Sequence, residues 1–419
     1  MNAVKYLIIG NGVCGVTAAE TIRGADHEAD IVVVGRENKR LYSRVLLPSY
    51  VKGLTLRENL FLKSDTFWGD NNVRFLNDRV VSKIDDEACV AILDDGTSFQ
   101  FEKALIATGG RSRRLGLLGE DLEGVHNLQT LEDADALVKT IQLLKSLPEY
   151  KRKVVIFGGG FISLEFADIF AQYGVGGIIV IRRPYYWEDR LDQESSDILV
   201  SALSQKGFRI YTDSTVKEIL GTGTVEGVKL SNGEIYGCAA VGLGLGIELN
   251  TSFLTGSKIE VHDGGVGTDQ FLQTSAANIF AAGDVAKFYN PLIGRRIHAG
   301  NWTNALLQGR LAGTNMASVA QEKTAIDFIS SYGANHFGLS IVFVGAVAKD
   351  SETMVVRRGD AGWREQLFIR NNFLVGATII NRAKDRGAIT NIIKNRGMIT
   401  NPTELADPAL SLDTYGTAL

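Results

Sequence analysis

The stretch VKYLIIGNGVCGVTAAETI, residues 4–22, runs from a short apolar segment through a glycine turn into apolar residues at helical spacing. Gly10, Gly12 and Gly15 form G-x-G-x-x-G directly behind the expected strand and at the opening of the expected helix. Gly10 permits the tight turn, Gly12 lets the backbone approach a pyrophosphate, and Gly15 lets the helix pack close to the strand. The helix N-terminus then offers free N–H groups and a partial positive charge. Glu37 follows the run IVVV, 22 residues after Gly15, where a carboxylate accepts hydrogen bonds from an adenosine ribose. Alone, each part has a plainer reading, as a strand–helix turn or a solvated loop acid; together they predict a dinucleotide-binding unit. Cys14 reads as a small residue packed under the turn.

The pattern returns in KVVIFGGGFISLEFADIFAQYG, residues 153–174. Gly158 and Gly160 repeat the turn, but Ser163 stands at the third glycine position, which predicts a helix set slightly farther from its strand. After the second strand, GIIVI, come Arg182 and Arg183 in place of an acid. Arginines there pair with a 2′-phosphate, which tilts the reading toward NADPH over NADH. Glu188 and Asp189 lie close enough in sequence to neutralise the pair, and a solvated loop is the alternative. Glu165, on a mostly apolar helix face, needs a partner or a capping role.

Two such units in 419 residues, 45% of them hydrophobic, indicate an α/β protein with several packed cores. The formal net charge of -4 argues against a nucleic-acid binder that works by phosphate neutralisation. Cys14, Cys89 and Cys238 are far apart, so no CxxC or metal-ligand spacing exists, no metal is expected, and a reducing cytoplasm fits best. The N-terminus lacks the pattern of a signal peptide, and no apolar run approaches the ~20 residues of a membrane helix. TLEDADALVKTIQLLKSL, residues 130–147, reads as a helix, and strands are expected through 209–245. From about residue 323 four strands and a helix-like AITNIIKNRG suggest a third, α+β domain.

With LIATGG at 105–110, GGGFISLE at 158–165 and IFAAGD at 279–284 added, the chain resembles the FAD- and NAD(P)-dependent pyridine nucleotide-disulfide reductase superfamily from residue 1 to about 320. The resemblance implies two Rossmann-like domains plus a small C-terminal α+β domain. It divides the chain into an FAD domain in two pieces, 1–115 and 248–322, an inserted NAD(P) domain, 116–247, and an interface domain, 323–419. It further implies that Thr108 and Gly109 close the FAD domain, that Val81 lies by the adenine, and that Asp284 holds the ribityl chain. Phe161 matches an aromatic gate over the flavin and Glu165 a carboxylate near that ring. Gly242 and Gly244 match the turn on the nicotinamide side, although IELN replaces the family's usual proline. GRRIHAGNWTNALLQGRLAG resembles the branch of rubredoxin reductases, oxygenase-type ferredoxin reductases, the flavin portion of nitrite reductases and apoptosis-inducing-factor-like proteins. There Trp302 would pack near the isoalloxazine, and His298 is read as structural.

The resemblance also bears on LYSRVLLPSYVKG, residues 41–53. Aligned with the single-cysteine pattern YxNCGLPYYIxG, it puts Val45 at the cysteine position, so thiol chemistry is absent. Arg44 is the functional candidate in the stretch, a cation near the flavin phosphates or ring; Tyr42 and Tyr50 read as packing residues. The implied activity carries electrons from NAD(P)H through FAD to rubredoxin, ferredoxin or an iron-sulfur or flavin partner subunit. An NAD(P)H oxidase or quinone reductase, and an apoptosis-inducing-factor-like regulatory flavoprotein, remain alternatives. Arg357, Arg358, Arg364 and Arg370 could meet an acidic carrier, and the C-terminal domain could also form a homodimer.

Overall fold

In the computed structural model, which describes residues 2–318, 322–347, 353–359 and 362–415, the first apolar run is strand Asn2–Ile9 inside a seven-stranded sheet. Arg74–Leu76, Ile31–Val34, Asn2–Ile9 and Ser98–Ile106 lie side by side in parallel. The far end of Ser98–Ile106 takes Ile279–Ala281 in parallel, and its near end takes Val90–Leu93 and then Val81–Asp85 in an antiparallel meander. Leu7, Ile9, Val32, Val34 and Ile106 fill one core face of this sheet. Buried parallel strands read as continuous apolar runs, which is why this part is legible.

Helix Val13–Ala25 packs against helix Trp302–Ala317. A Cβ on Gly309 would strike the Cys14 carbonyl, and one on Gly313 the Ala18 backbone, so two glycines one turn apart set the close approach. Cys14 is thereby sealed, and burial pushes its thiol well above the usual range.

The backbone divides into two compact units, Met1–Ser43 with Phe61–Arg111 and Glu248–Ser331, and Arg44–Leu60 with Ser112–Ile247 and Tyr332–Leu419. In the second, Phe208–Tyr211, Gly176–Val180, Lys153–Phe157, Ala240–Leu243 and Val125–His126 form a parallel sheet. A meander of Val216–Thr222, Thr224–Leu230 and Ile235–Gly237 shares a core with it. Helix Leu131–Ser146 begins with a capping box between Thr130 and Asp133, the reciprocal bonds that fix a helix start. Segment 44–60 is held within this unit by Tyr50 to Asp135 at 2.7 Å, Lys52 to Asp168 at 2.6 Å and Tyr173 to the Val51 carbonyl at 2.8 Å.

The C-terminal region is a five-stranded sheet in the order Ser331–His336, Leu339–Gly345, Phe373–Ile380, Trp363–Arg370, Thr353–Gly359, with helix Arg386–Lys394 against it. The strand beyond the expected four is Ser331–His336; it is at an edge, no residue in it is fully buried, and its sequence SYGANH lacks an apolar alternation.

Two of the arginines expected to face a carrier are turned inward. Arg357 is fully buried, 3.2 Å from Glu365 and donating to the Leu410 carbonyl at 2.9 Å. Arg364 pairs with Asp192 and, at 2.6 Å, with Glu194, fastening the sheet to the start of helix Gln193–Gln205. Buried guanidinium groups need such partners, which removes them from a docking face.

His126, buried at the end of its strand, bonds Thr140 at 2.8 Å, and burial pushes its pKa from 6.5 down to about 4. Between those values the unfolded chain binds a proton that the folded chain refuses, so stability is lost as pH falls from 6.5 toward 4. The full effect is about 3 kcal/mol. Urea unfolding across this window should therefore give a steeper acid loss for the wild type than for His126→Gln; parallel curves would contradict the assignment.

Candidate functional site

The first glycine turn has the geometry its sequence predicts. Gly10 adopts φ +121°, donates to the Val34 carbonyl at 2.8 Å, and has no room for a Cβ because the Ala107 carbonyl occupies that space. A Cβ on Gly15 would meet the Gly10 carbonyl, so the helix touches the turn itself. A Cβ on Gly12 would meet nothing within 4 Å, and Gly12 caps Val13–Ala25 with no side-chain hydrogen bond. The turn thus leaves open space in front of uncapped N–H groups, which is what a pyrophosphate requires.

Glu37 lies half-buried beyond the second strand, and Tyr42 donates a hydrogen bond to its carboxylate at 2.7 Å. Asn11, inside the glycine fingerprint, donates to the Glu37 carbonyl at 3.0 Å. Neither residue is among the sequence candidates, since a tyrosine in an apolar run reads as packing. Val81 opens strand Val81–Asp85 and is buried in the sheet core.

Thr108 and Gly109 follow strand Ser98–Ile106, with Gly109 at φ +57°. Thr108 Oγ1 donates to the Asn250 carbonyl at 2.9 Å, Asn250 Nδ2 returns a bond to the Thr108 carbonyl at 2.9 Å, and the Asn250 N–H reaches the Gly109 carbonyl at 3.0 Å. Asn250, in the segment where the expected proline is missing, therefore supplies three bonds that shape this turn. Asp284 sits in the short helical turn Gly283–Val285, whose first N–H is received by Gln308 at 2.7 Å. His298 Nε2 bonds the Asp284 carbonyl at 2.5 Å, a structural use. A Cβ on Gly283 would lie 3.2 Å from that of Cys14, so this turn faces the start of the first glycine helix. Trp302 is half-buried at the first position of Trp302–Ala317, a helix capped by the Asn301 side chain.

The second turn solves the same problem with one glycine moved. Gly158 has φ +104°, donates to the Val180 carbonyl at 2.9 Å, and faces the Gly244 carbonyl. Ser163 is fully buried with Oγ 3.4 Å from that carbonyl, and a Cβ on Gly244 would collide with it. The strand side, by lacking a Cβ at Gly244, makes the room that the Ser163 side chain occupies. Gly242 is buried likewise, its missing Cβ giving room to the Phe166 ring. Gly160 leaves open space and caps Phe161–Gln172 with no side-chain bond. Tyr186, a residue without a sequence signal, donates to the Gly160 carbonyl at 3.1 Å.

Arg182 and Arg183 are exposed just past strand Gly176–Val180, and Arg183 stands 3.5 Å from Glu188. Arg44 donates to the Gln129 carbonyl at 2.8 Å within the second unit, beside the capped start of helix Leu131–Ser146. Phe161 packs on Trp187, Tyr332 and Phe343 at 4.7, 5.5 and 5.6 Å between centroids. Glu165 has the partner its position demands, His336 Nε2 at 3.8 Å. Burial raises the Glu165 carboxyl, against the opposing pull of His336 and Lys52. One turn on, burial also works on Asp168, but hydrogen bonds from His336 and Lys52 outweigh it and hold that carboxyl below its ordinary range.

Both glycine turns thus fit a bound dinucleotide. Residues 4–309 match the model of the pyridine nucleotide-disulphide oxidoreductase family. The chain belongs to this family. It is an NAD(P)H-dependent flavin oxidoreductase. Across 408 residues, 97% of this chain and all of the relative, it is 25% identical to the 3-phenylpropionate/cinnamic acid dioxygenase ferredoxin–NAD(+) reductase component of Photorhabdus laumondii. It is 28% identical over 392 residues to the NADH-dependent phenylglyoxylate dehydrogenase subunit epsilon of Aromatoleum evansii, covering 93% of this chain and 91% of that one. The solved ferredoxin reductase of Rhodopseudomonas palustris shares the fold over the full length of both chains, at a TM-score of 0.86 and 24% identity. FAD and a pyridine nucleotide are accordingly the cofactors of this oxidoreductase.

The Tyr42–Glu37 bond gives a direct test of the first site. Tyr42→Phe keeps the ring and removes only a charge-assisted hydrogen bond, a change of about 1.5–3 kcal/mol where the bond is used. Flavin retained after extensive dialysis should fall roughly tenfold in affinity terms, as read by absorbance against protein. Full occupancy at wild-type affinity would separate Glu37 from flavin binding.

Proposed function

We propose that this flavoprotein passes electrons from a nicotinamide nucleotide to a small one-electron redox protein, of the ferredoxin or rubredoxin kind or an iron-sulfur or flavin subunit, without a thiol intermediate. The state of the cysteines carries this reading. Cys14 and Cys238 are buried, with burial pushing Cys238 up to about 12, and Cys89 sits outside both glycine turns on the first unit's meander. A thiol relay needs an accessible thiolate. The relatives named as a ferredoxin–NAD(+) reductase and as a subunit of a dehydrogenase support the acceptor class.

On this reading Gly10, Gly12, Gly15, Glu37, Thr108, Gly109, Asp284 and Trp302 hold FAD, with the Val81 backbone at the adenine. Gly158, Gly160, Gly242, Gly244, Arg182 and Arg183 hold the nicotinamide nucleotide, with Phe161 and Glu165 at its reactive end. The bound flavin supplies the exchange between a hydride and single electrons. The protein's part is to bring the donor within reach and exclude water, and geometry of that kind supplies most of the rate. Arg44 contributes positive charge to the wall of the site. No described helix is long and apolar enough to cross a membrane, and unpaired cysteines accord with a cytoplasmic setting. The exposed remainder of the C-terminal sheet is the surface offered to a carrier or to a second copy of the chain.

The nucleotide preference follows from charge. Arg182 and Arg183 welcome a 2′-phosphate, while the Arg183–Glu188 contact offsets part of that attraction. On charge alone NADPH is weakly favoured over NADH, whereas the named relatives are NADH- or NAD(+)-linked. Arg182→Glu with Arg183→Ala should lower kcat/KM for NADPH by about tenfold relative to NADH, the effect of about 1.4 kcal/mol. An unchanged ratio would remove the arginines from recognition.

For the acceptor, stopped-flow reduction followed by reoxidation with ferredoxin, rubredoxin, a quinone and oxygen separates the outcomes. Reoxidation at catalytic speed by one of the two proteins is expected. Turnover sustained by oxygen or quinone alone would make the chain an oxidase or quinone reductase instead.

A further inference from the structure

Segment 182–190 begins with the two exposed arginines and contains Trp187, which is buried and has φ +54°. A large aromatic residue in the left-handed region is a true outlier and persists only where its surroundings over-determine it. Here the segment is tied on both sides of Trp187. Tyr186 donates its hydroxyl to the Gly160 carbonyl at 3.1 Å and its N–H to Ser196 at 2.9 Å. The N–H groups of Arg190 and Leu191 close on the Trp187 carbonyl at 2.7 and 2.8 Å, Thr378 donates to the Arg190 carbonyl at 3.2 Å, and Arg190 bonds the Tyr332 hydroxyl. Between these ties the Trp187 ring lies against Phe161, tilted 60° at 4.7 Å, and edge-on to Phe343 at 5.4 Å.

We propose that Trp187 is a positioning residue for Phe161, coupling occupancy of the arginine end of the pyridine nucleotide site to the orientation of the ring at its nicotinamide end. The proposal rests on the reading of the second glycine turn as that site. The same short segment carries both contacts, with Arg182 and Arg183 at its start and Trp187 at its centre. Close-packed rings have no slack to absorb a displacement, so a shift of the segment is transmitted to Phe161 rather than dissipated. The adenosine half of the nucleotide thereby helps to prepare the site for the nicotinamide half, a use of remote binding energy.

The test uses the flavin-loaded protein labelled with 5-fluorotryptophan. Its four tryptophans give four fluorine resonances, and Trp187→Phe identifies that of Trp187. NADP⁺ or NAD⁺ should shift this resonance, whereas nicotinamide mononucleotide, which lacks the adenosine half, should leave it in place. In stopped-flow measurements Trp187→Gly, which suits the backbone angle and deletes the ring, should slow flavin reduction by NADPH about tenfold while the nucleotide Kd changes less than about twofold. Reduction by reduced nicotinamide mononucleotide should be unaffected. If the glycine variant does not fold, Trp187→Phe and the fluorine resonance decide the matter. Dinucleotide binding by calorimetry with a motionless Trp187 resonance, or wild-type reduction rates in the folded variants, would overturn the coupling alone. Absence of any dinucleotide binding would overturn the proposed function with it.

Discussion

The architecture depends on one close contact, made twice: the first turn of a helix pressed against the carbonyl groups at the end of its own sheet. At the first turn Gly15 lacks the Cβ that would strike the Gly10 carbonyl, and Gly10 lacks the one that would strike the Ala107 carbonyl on the neighbouring strand. Moving the helix outward would swing its N-terminal N–H groups away from the open space above Gly12. The packing requirement and the binding requirement are thus the same requirement, since the helix dipole and free donors act only within about a turn of the terminus. At the second turn a buried serine is tolerated because Gly244 gives up its side chain instead. What must be kept is the separation between helix and strand, and which side supplies the glycine is secondary.

The residues that surround these turns show how a site is stiffened from outside its motif. Glu37 is oriented by Tyr42, and its carbonyl is held by Asn11. Asn250 ties down Thr108 and Gly109. Tyr186 does the same for Gly160. Stretch 41–53 is split between these tasks: Tyr42 bonds the Glu37 carboxylate in the first unit, while Arg44, Tyr50 and Lys52 bond partners in the second. A run that looks like one loop in the sequence is therefore two functional pieces joined at residue 43.

Legibility follows from locality. Both glycine turns were readable because turn, strand and helix lie within about twenty residues and each position has its own steric reason. The sequence of the C-terminal sheet reads as four strands because apolar alternation marks buried strands; its fifth member is a half-buried edge whose polar sequence carries no such mark. The partners of Glu165 and Arg364 are not readable, because each comes from a distant part of the chain. His336 is 171 residues from Glu165, so only the fold could show that a half-buried carboxylate on an apolar helix face meets an imidazole. The same holds for Arg364, which the sequence places on a solvated strand and the fold closes on Asp192 and Glu194.

The inward-facing arginines change how the C-terminal sheet is understood. Arg364 grips the N-terminal end of helix Gln193–Gln205, Gln366 reaches the Asp192 N–H at 3.4 Å, and Thr378 holds the Arg190 carbonyl. All three contacts fall on the chain that leads out of segment 182–190. The sheet also contributes Tyr332 and Phe343 to the rings around Phe161 and His336 to the carboxylates of the same helix. A sheet serving only as an outer docking surface would have no need of a buried charge aimed at Asp192 and Glu194, since it costs desolvation unless its partner is kept in place. Its buried face is better explained as a wall that holds Phe161, Glu165 and Asp168 of helix Phe161–Gln172 in place.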